Sequence, residues 1–515
     1  MPVVLTGSVS STFSADTSNT AYVTTQFAVI TSSGEGVAIS GGGSVDYILA
    51  GALYASSNGI GLSTLNTSSN NHIFVEETGI LFAGFDGMDL NGNSNRVTIH
   101  GSVIGTTDAL ELSGDANQVD ISGFVQGGID GIELRGAAGE LDVSGRLVGG
   151  VRGIDAVGDD VQIRNSGEIA SDIVGIDVTG ADALIFNTGL IVAETAVDVT
   201  GSGLIFTNSG HVQGTTRAIL ANGDNGTFIN TGLVTSTGVE GVFATAANFE
   251  LFNTGEIVSD IDFAASNGTL VNDGDILGNV VMDGADSTLR NNDYLDGNID
   301  TGAGIQTVFN HGTITGDVDL GDGSDIYMGR GETFGSVFGG GGSDQLFGRT
   351  GDDVLFGGDS IDILHGNEGD DTLNGDDGND IMRGGRGDDR LNGGAGGDDI
   401  MGGSGRDVIL GGNGADIING GYGDDTLSGN GAKDTFVFDL NAGNDRITDF
   451  SNGNDLIDLT SFGLVPGDYA SMVAPAITQA SGSSVLLDLN DLGGSGSVLI
   501  LGLAIGDVDS SDFLL

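Results

Sequence analysis

The chain has 515 residues, 73 of them acidic and only 15 basic, for a formal net charge of −58, and Lys433 is its sole lysine. Such an excess of carboxylates argues against nucleic acid or anionic lipid as a direct partner and points to cations as counterparts. Zero cysteines exclude a disulfide framework, a thiolate metal site and a cysteine nucleophile, and no run of eighteen apolar residues offers a membrane-inserting span.

Residues 1–44 are rich in Thr and Ser, and the stretch from Met1 to Ala15 lacks the basic-then-apolar order of a cleaved export signal. Tyr22 to Val29 reads as a strand, so 1–44 is expected to cap a repeat array or to pair with a partner. From residue 45 a long register begins. Glycines recur at Gly79, Gly101, Gly123, Gly145, Gly167 and Gly189 in steps of 22, continue at Gly210, Gly232 and Gly255, and then shorten to steps of 19 at Gly274, Asp293 and Gly312. Between them Val97 to His100, Val119 to Ser122 and Leu141 to Ser144 alternate apolar and polar at period two, the pattern of strands. Gly131 to Leu134, Gly153 to Ala156 and Gly175 to Val178 give a second set at the same spacing. A strand repeated every 22 residues with glycine turns is what a right-handed parallel β-helix needs, and it is expected over 45–319. Asn165, Asn187, Asn208, Asn230, Asn253, Asn272 and Asn310 fall in one column, where stacked amides can hydrogen-bond along the axis. The histidines His72, His100, His211, His311 and His365 are scattered singly and read as turn or surface residues. Arg96, Arg135, Arg146, Arg152 and Arg164 share no 22-residue column and read as surface charges.

Over 320–434 the register tightens to nine. Asp344, Asp353, Asp362, Asp371, Asp380, Asp389, Asp398, Asp407, Asp416, Asp425 and Asp434 follow one another without a slip, and Asp325 precedes Asp344 by 19. Each nine-residue unit has the form Gly-Gly-x-Gly-x-Asp-x-(apolar)-x, as in Gly402 to Leu410. The glycines are expected to supply sharp bends with positive φ, and the tail a short strand whose apolar residue (Leu346, Leu355, Ile363 or Leu364, Leu373, Met382, Leu391) points into a thin core. Two units make an 18-residue coil, so alternate aspartates line opposite edges. Stacked carboxylates about 5 Å apart repel unless a hard cation lies between them. Ca²⁺, with its flexible oxygen shell, suits such a site better than Mg²⁺. The nonapeptide resembles the RTX calcium-binding repeat, which implies a calcium β-roll holding several ions at these twelve aspartates.

After Asp434 the pattern changes. Asp445 to Phe450 and Gly453 to Leu459 resemble the segment that closes the β-roll of serralysin-type secreted metalloproteases, and Asp507 to Leu515, acidic with an apolar tip, resembles the uncleaved address of type I secretion. Residues 435–515 are therefore read as a C-terminal β cap and secretion signal. The resemblance implies a secreted protein, extracellular or at the surface of a Gram-negative bacterium, and millimolar calcium suits sites of this kind.

No His-Glu-x-x-His motif occurs, and one lysine and 95 glycines do not suit an acylated pore-forming helix. A polysaccharide lyase or epimerase is the alternative reading, but lysine is missing from the β-helix and tryptophan from the whole chain. The expectation is an all-β, non-enzymatic, calcium-binding structural protein of surface-layer, filament or adhesin type. It is expected to self-assemble, with a cell-surface polysaccharide as a further possible partner.

Overall fold

Every coil is built from short parallel strands whose equivalent residues stack in register. The computed structural model describes residues 46–54, 62–65, 70–238, 240–264 and 267–515, preceded by the strands Val3–Val4, Phe13–Asp16, Ala21–Val23, Ala28–Val29 and Val37–Ser40. The fold is an all-β parallel solenoid. Spatial contacts divide it into two units, Met1–Val281 and Met282–Leu515.

In the first unit a coil has three strands. Arg96–Ile99, Ser102–Ile104 and Leu110–Ser113 pair with their counterparts 22 residues on, Gln118–Ile121, Phe124–Gln126 and Asp130–Arg135. The alternation read from the sequence is realised: Val97, Ile99, Val119, Ile121, Leu141 and Val143 are all buried. The glycines at 22-residue spacing serve close approach. A Cβ on Gly123 would stand 2.0 Å from the Gly101 carbonyl oxygen, and one on Gly145 equally close to that of Gly123. The left-handed positions are elsewhere, in a column that includes Ala116, Ala138 and Asp160 with φ of 56–59°. L-residues resist that conformation, and each is held by an N–H donated to the next coil, Ala116 to Ala137 and Ala138 to Asp159 at 2.8 Å. The cap expected over 1–44 falls largely outside the described residues. Two strands described there pair in parallel with coil strands, Ala21–Val23 with Tyr47 to Leu49 and Val37–Ser40 with Leu62–Leu65.

The asparagine column is a continuous amide ladder. Nδ2 of Asn165, Asn187, Asn208, Asn230 and Asn253 donates to Oδ1 of the next asparagine at 2.7–2.8 Å. In the second unit Asn291 donates to Asn310 at 3.0 Å. All are buried, so within each unit these bonds satisfy amides that would otherwise be costly to enclose.

The second unit begins with 19-residue coils, Thr288–Asn291 pairing with Thr307–Asn310 and that strand with Ile326–Gly329. One of the three strand columns ends at Glu332–Thr333, and the coil closes to 18 residues and two strands. Thr372–Asp377, Arg390–Ala395 and Val408–Asn413 stack in one sheet, Ile363–Glu368, Ile381–Arg386 and Asp399–Ser404 in the other. Leu346, Leu355, Leu364, Leu373, Met382 and Leu391 fill the core as expected. Of the alternatives at 363 and 364, Leu364 points inward. Strands run from the residue after each aspartate through the third place of the following unit, six residues where the sequence suggested three. The first glycine stays extended, and although the second takes a positive φ, as at Gly403 (120°), it keeps its pairing with Gly385 and Gly421, so the chain turns only at the fourth, as at Gly405 (139°).

The C-terminal end is covered. Gly496–Leu501 pairs in parallel with Gly443–Ile447, Ser484–Asp488 adds antiparallel to it, and Ile477–Gln479 adds in turn. On the other sheet Phe513–Leu514 pairs with Leu456–Asp458. The last strands of the roll are therefore paired on both sheets.

Candidate metal centres

Each turn aspartate of the roll stands at the end of a bend, with its carboxylate folded back under the coil. Its Oδ1 accepts the backbone N–H of the aspartate one coil earlier. Asp344, Asp362, Asp380 and Asp398 donate to Asp362, Asp380, Asp398 and Asp416 at 2.8–2.9 Å. On the opposite edge Asp353, Asp371, Asp389 and Asp407 donate to Asp371, Asp389, Asp407 and Asp425 at 2.8–2.9 Å. The structure thus sorts the aspartates into the two rows their parity implies. Asp325 opens one row, accepting from Gln306 and donating to Asp344. Asp416 donates to Asp434 at 3.1 Å.

The other oxygen is the informative one. Oδ2 of Asp325, Asp344, Asp362, Asp371, Asp380, Asp389, Asp398, Asp407, Asp416 and Asp425 is enclosed and has no hydrogen-bond donor. Over the first glycine of the unit it meets a backbone carbonyl from the next coil. A Cβ on Gly402 would stand 2.4 Å from Asp407 Oδ2 and 2.5 Å from the Gly420 carbonyl oxygen, and one on Gly393 2.3 Å from both Asp398 Oδ2 and the Gly411 carbonyl oxygen. A carboxylate oxygen and a carbonyl oxygen thus converge on a space that only glycine leaves open. Burial pushes the carboxyls of Asp362, Asp371, Asp380 and Asp407 up to about 7, and those of Asp353, Asp416, Asp425 and Asp434 to about 6, against the opposing effect of the N–H donor. Buried, acceptor-only and undonated oxygens beside carbonyls fit a hard divalent cation. Among the described residues no three acidic or histidine side chains gather at one point, so backbone carbonyls have to complete each shell. A bound Ca²⁺ would supply the positive charge these rows lack, held by the Oδ2 atoms and the glycine carbonyls.

Two rungs escaped the sequence reading. Asp425 donates to Asp445 Oδ1 at 3.0 Å and Asp434 to Asp455 Oδ1 at 3.1 Å, so both rows continue one coil further. Asp445 Oδ2 also lacks a donor, and burial pushes its carboxyl to about 8. The spacings there are 20 and 21 residues, because the coil carries two and three extra residues that break the ninefold register.

A second acidic row lies in the first unit and was also missed. Asp89, Glu111, Glu133, Asp155, Asp177 and Asp198 are direct neighbours on successive strands. Their spacing of 22, closing with a step of 21, was the signal. Arg152, expected at the surface, instead sits half-buried against this row. It pairs with Asp155, with Asp177 at 3.8 Å and with Asp130 at 3.6 Å. Arg146 and Arg164 are surface charges as expected, pairing with Glu168 and Asp142. Burial raises Asp130 and Asp177 to about 6, with Arg152 opposing the shift.

A family model for the RTX calcium-binding nonapeptide repeat (4 copies) matches residues 338–373, 356–391, 374–409, 401–436 and 410–447. Among solved structures, the chain is similar to the AlgE6R3 subunit of the Azotobacter vinelandii mannuronan C5-epimerase, determined in solution. Sequence identity is 31%, over 25% of this chain and 80% of that one, with a TM-score of 0.22. No curated protein matches.

Proposed function

We propose that this chain, whose residues 338–447 match the RTX calcium-binding repeat and bind several calcium ions, is a secreted structural protein that assembles at the bacterial surface under millimolar calcium. The two rows of undonated Asp Oδ2 atoms carry this reading. They make the folded roll conditional on a divalent cation at the concentration found outside cells rather than in the cytosol. Asp325 to Asp434 at the positions above are the ion-holding side chains, with Asp445 and Asp455 as closing rungs. A solenoid repeats each surface position along its axis, which suits an extended contact face. Net charge opposes self-association until cations screen it. With the C-terminal edge covered, the contacts between copies are lateral ones bridged by calcium, not strand addition at that end.

Electron microscopy of the purified protein tests this directly. Ordered sheets or fibres form in millimolar Ca²⁺ and disperse in chelator. A protein that stays monomeric at high concentration with calcium bound overturns the assembly reading. One observation favours the alternative of a polysaccharide lyase or epimerase: two carboxyls that burial raises to about 6, Asp130 and Asp177, flank the half-buried Arg152. Turnover of an acidic polysaccharide that is lost on Asp177→Asn would put that reading in place of the structural one.

A further inference from the structure

One face of the second unit inverts the charge of the chain. Arg349, Arg383 and Arg386 line an open cleft of about 700 Å³ together with His365, Asn367 and Met401, and Glu368 is the only acidic residue lining it. Arg330 adjoins it across a smaller hollow shared with Phe347 and Arg349. In a chain with 15 basic residues against 73 acidic ones, four arginines gathered beside one glutamate is a strong local departure. Only Arg386 is neutralised, by Glu368 at 2.8 Å. Arg330, Arg349 and Arg383 have no carboxylate within ion-pair distance among the described residues; Arg383 reaches only the Met401 sulfur, at 3.7 Å. The same field extends to His311, whose pKa is lowered by partial burial and then by Arg330, Arg290 and Arg349.

The register makes the cleft linear. Phe347, His365, Arg383 and Met401 follow one another on successive strands, about 4.8 Å apart along the solenoid axis. In this column Arg383 stands between His365 and Met401, Phe347 packs edge-on against His365 with ring centroids 5.2 Å apart, and Arg349 and Arg330 line the hollow beside Phe347. A guanidinium holds a carboxylate, phosphate or sulfate group bidentately, and an aromatic face packs against the C–H face of a sugar ring. The volume accommodates a few rings of a chain and not the face of a folded protein. A second copy of this chain would also bring its own large negative charge against the acidic surroundings.

We propose that this cleft binds a linear anionic polysaccharide, with Arg349, Arg383 and Arg330 taking its acidic groups and Phe347, His365 and Met401 its ring faces. This rests on the surface reading above only for what the glycan would anchor the protein to.

The test uses the full-length, calcium-loaded protein and isothermal titration with short oligouronates, a sulfated oligosaccharide, a phosphorylated oligosaccharide and neutral dextran oligomers. Wild type binds at least one acidic oligomer and not dextran, and the affinity falls with added salt. Whichever acidic oligomers bind identify the anionic group. Arg349→Gln with Arg383→Gln weakens binding by about tenfold or more, while Glu368→Gln strengthens it, a gain that damage to the fold would not produce. These side chains are exposed, and an unchanged calcium-bound circular dichroism spectrum verifies folding. Equal binding of dextran, tighter binding of an acidic peptide than of any glycan, or full affinity in the double arginine variant overturns the proposal. Imaging of the same preparations separates the two readings. A lattice without glycan binding overturns only this site, and glycan binding without a lattice overturns only assembly.

Discussion

The two kinds of coil solve the same backbone problem with different chemistry. At the turn before a strand, one N–H per coil needs an acceptor from the next coil. In the early coils of the first unit, up to Asn117, after which Gly139, Val161 and Ala183 hold the equivalent place, Asn71 donates to Asn95 Oδ1 at 3.1 Å and Asn95 to Asn117 Oδ1 at 2.9 Å. In the roll Asp362 donates to Asp380 Oδ1 at 2.8 Å. The hydrogen bond is equivalent, so it cannot be why the roll uses a charged residue. The difference lies in the second atom. Asn95 and Asn117 turn Nδ2 onto the carbonyl oxygens of Gly92 and Gly114 at 2.7 and 2.8 Å, whereas Asp380 turns an oxygen into its enclosed place and finds no donor. An amide closes the turn by itself. A carboxylate leaves it open for a cation. The passage between the two is visible in the second unit, where Ser287 donates to Gln306, Gln306 to Asp325 and Asp325 to Asp344.

The largest effect expected from this contrast is on calcium removal. In chelator the roll carries its carboxylates uncompensated, and residues from about 345 onward should lose amide-exchange protection while the coils of the first unit keep theirs. Exchange measured across the intact chain by mass spectrometry decides it. Equal protection of both regions without calcium would mean that the roll is held by its hydrogen bonds alone.

Next in size is a swap of the two chemistries. Asp380→Asn keeps the Oδ1 acceptor but removes a calcium ligand, so it should weaken the roll at millimolar Ca²⁺ and strengthen it in chelator. The reverse change, Asn95→Asp, buries a charge against the Gly92 carbonyl and should destabilise the first unit by about 3 kcal/mol whether or not calcium is present. Urea unfolding of both variants, with and without the ion, gives four numbers. A calcium rescue of Asn95→Asp would show that the amide coil already contains a cation site.

This contrast also marks what could be read from residues alone. The coil lengths, the two aspartate rows and the asparagine ladder were legible because a solenoid repeats each environment, so spacing encodes position. Asp445 and Asp455 were lost when extra residues broke the ninefold register. The row from Asp89 to Asp198 was lost although Glu133, Asp155 and Asp177 lie in segments read as strands, because a carboxylate is unremarkable in so acidic a chain. Arg152 could not be placed from spacing, since it belongs to the row through its length and not through its own column. The different tasks of the first and second glycines were also hidden. Both are glycine in the sequence, and only the backbone shows that Gly403 needs a positive φ while Gly402 needs room beside Asp407.

A smaller effect concerns acidity in the first unit, where carboxylates are stacked with Arg152 and not with a row of turn carbonyls. The folded pKa values of Asp130 and Asp177 are raised to about 6 from 3.8. A raised carboxyl favours the folded state most below its unfolded value. That contribution is therefore complete below about pH 4 and is lost as the pH rises through about 6. The first unit should be more stable at pH 5 than at pH 7.5 by about 2 kcal/mol, and Asp130→Asn with Asp177→Asn should flatten the profile. Urea midpoints followed at the two pH values measure it. Stability that rises with pH would mean that Arg152 compensates the row fully.

The smallest effect tests the geometry of the roll itself. Asp362 and Asp380 are neighbours in one row, joined through the 2.8 Å bond from the Asp362 N–H, whereas Asp371 is nine residues from Asp380 in sequence but lies in the other row. If an ion is shared between successive coils, Asp362→Asn and Asp380→Asn remove ligands from one chain of sites, and their effects on calcium-dependent stability should depart from additivity by about 1 kcal/mol. Asp371→Asn combined with Asp380→Asn should add to within about 0.5 kcal/mol, since no row joins them. A double-mutant cycle for each pair at fixed millimolar Ca²⁺ gives the comparison. Asparagine keeps the Oδ1 acceptor in all three substitutions, so a coupling found only in the first pair reports the ions and not a broken hydrogen bond. Equal coupling in both pairs would place the ions across the coil, between the two rows, and would leave the turn asparagines Asn95 and Asn117 a poor guide to why the roll needs charge.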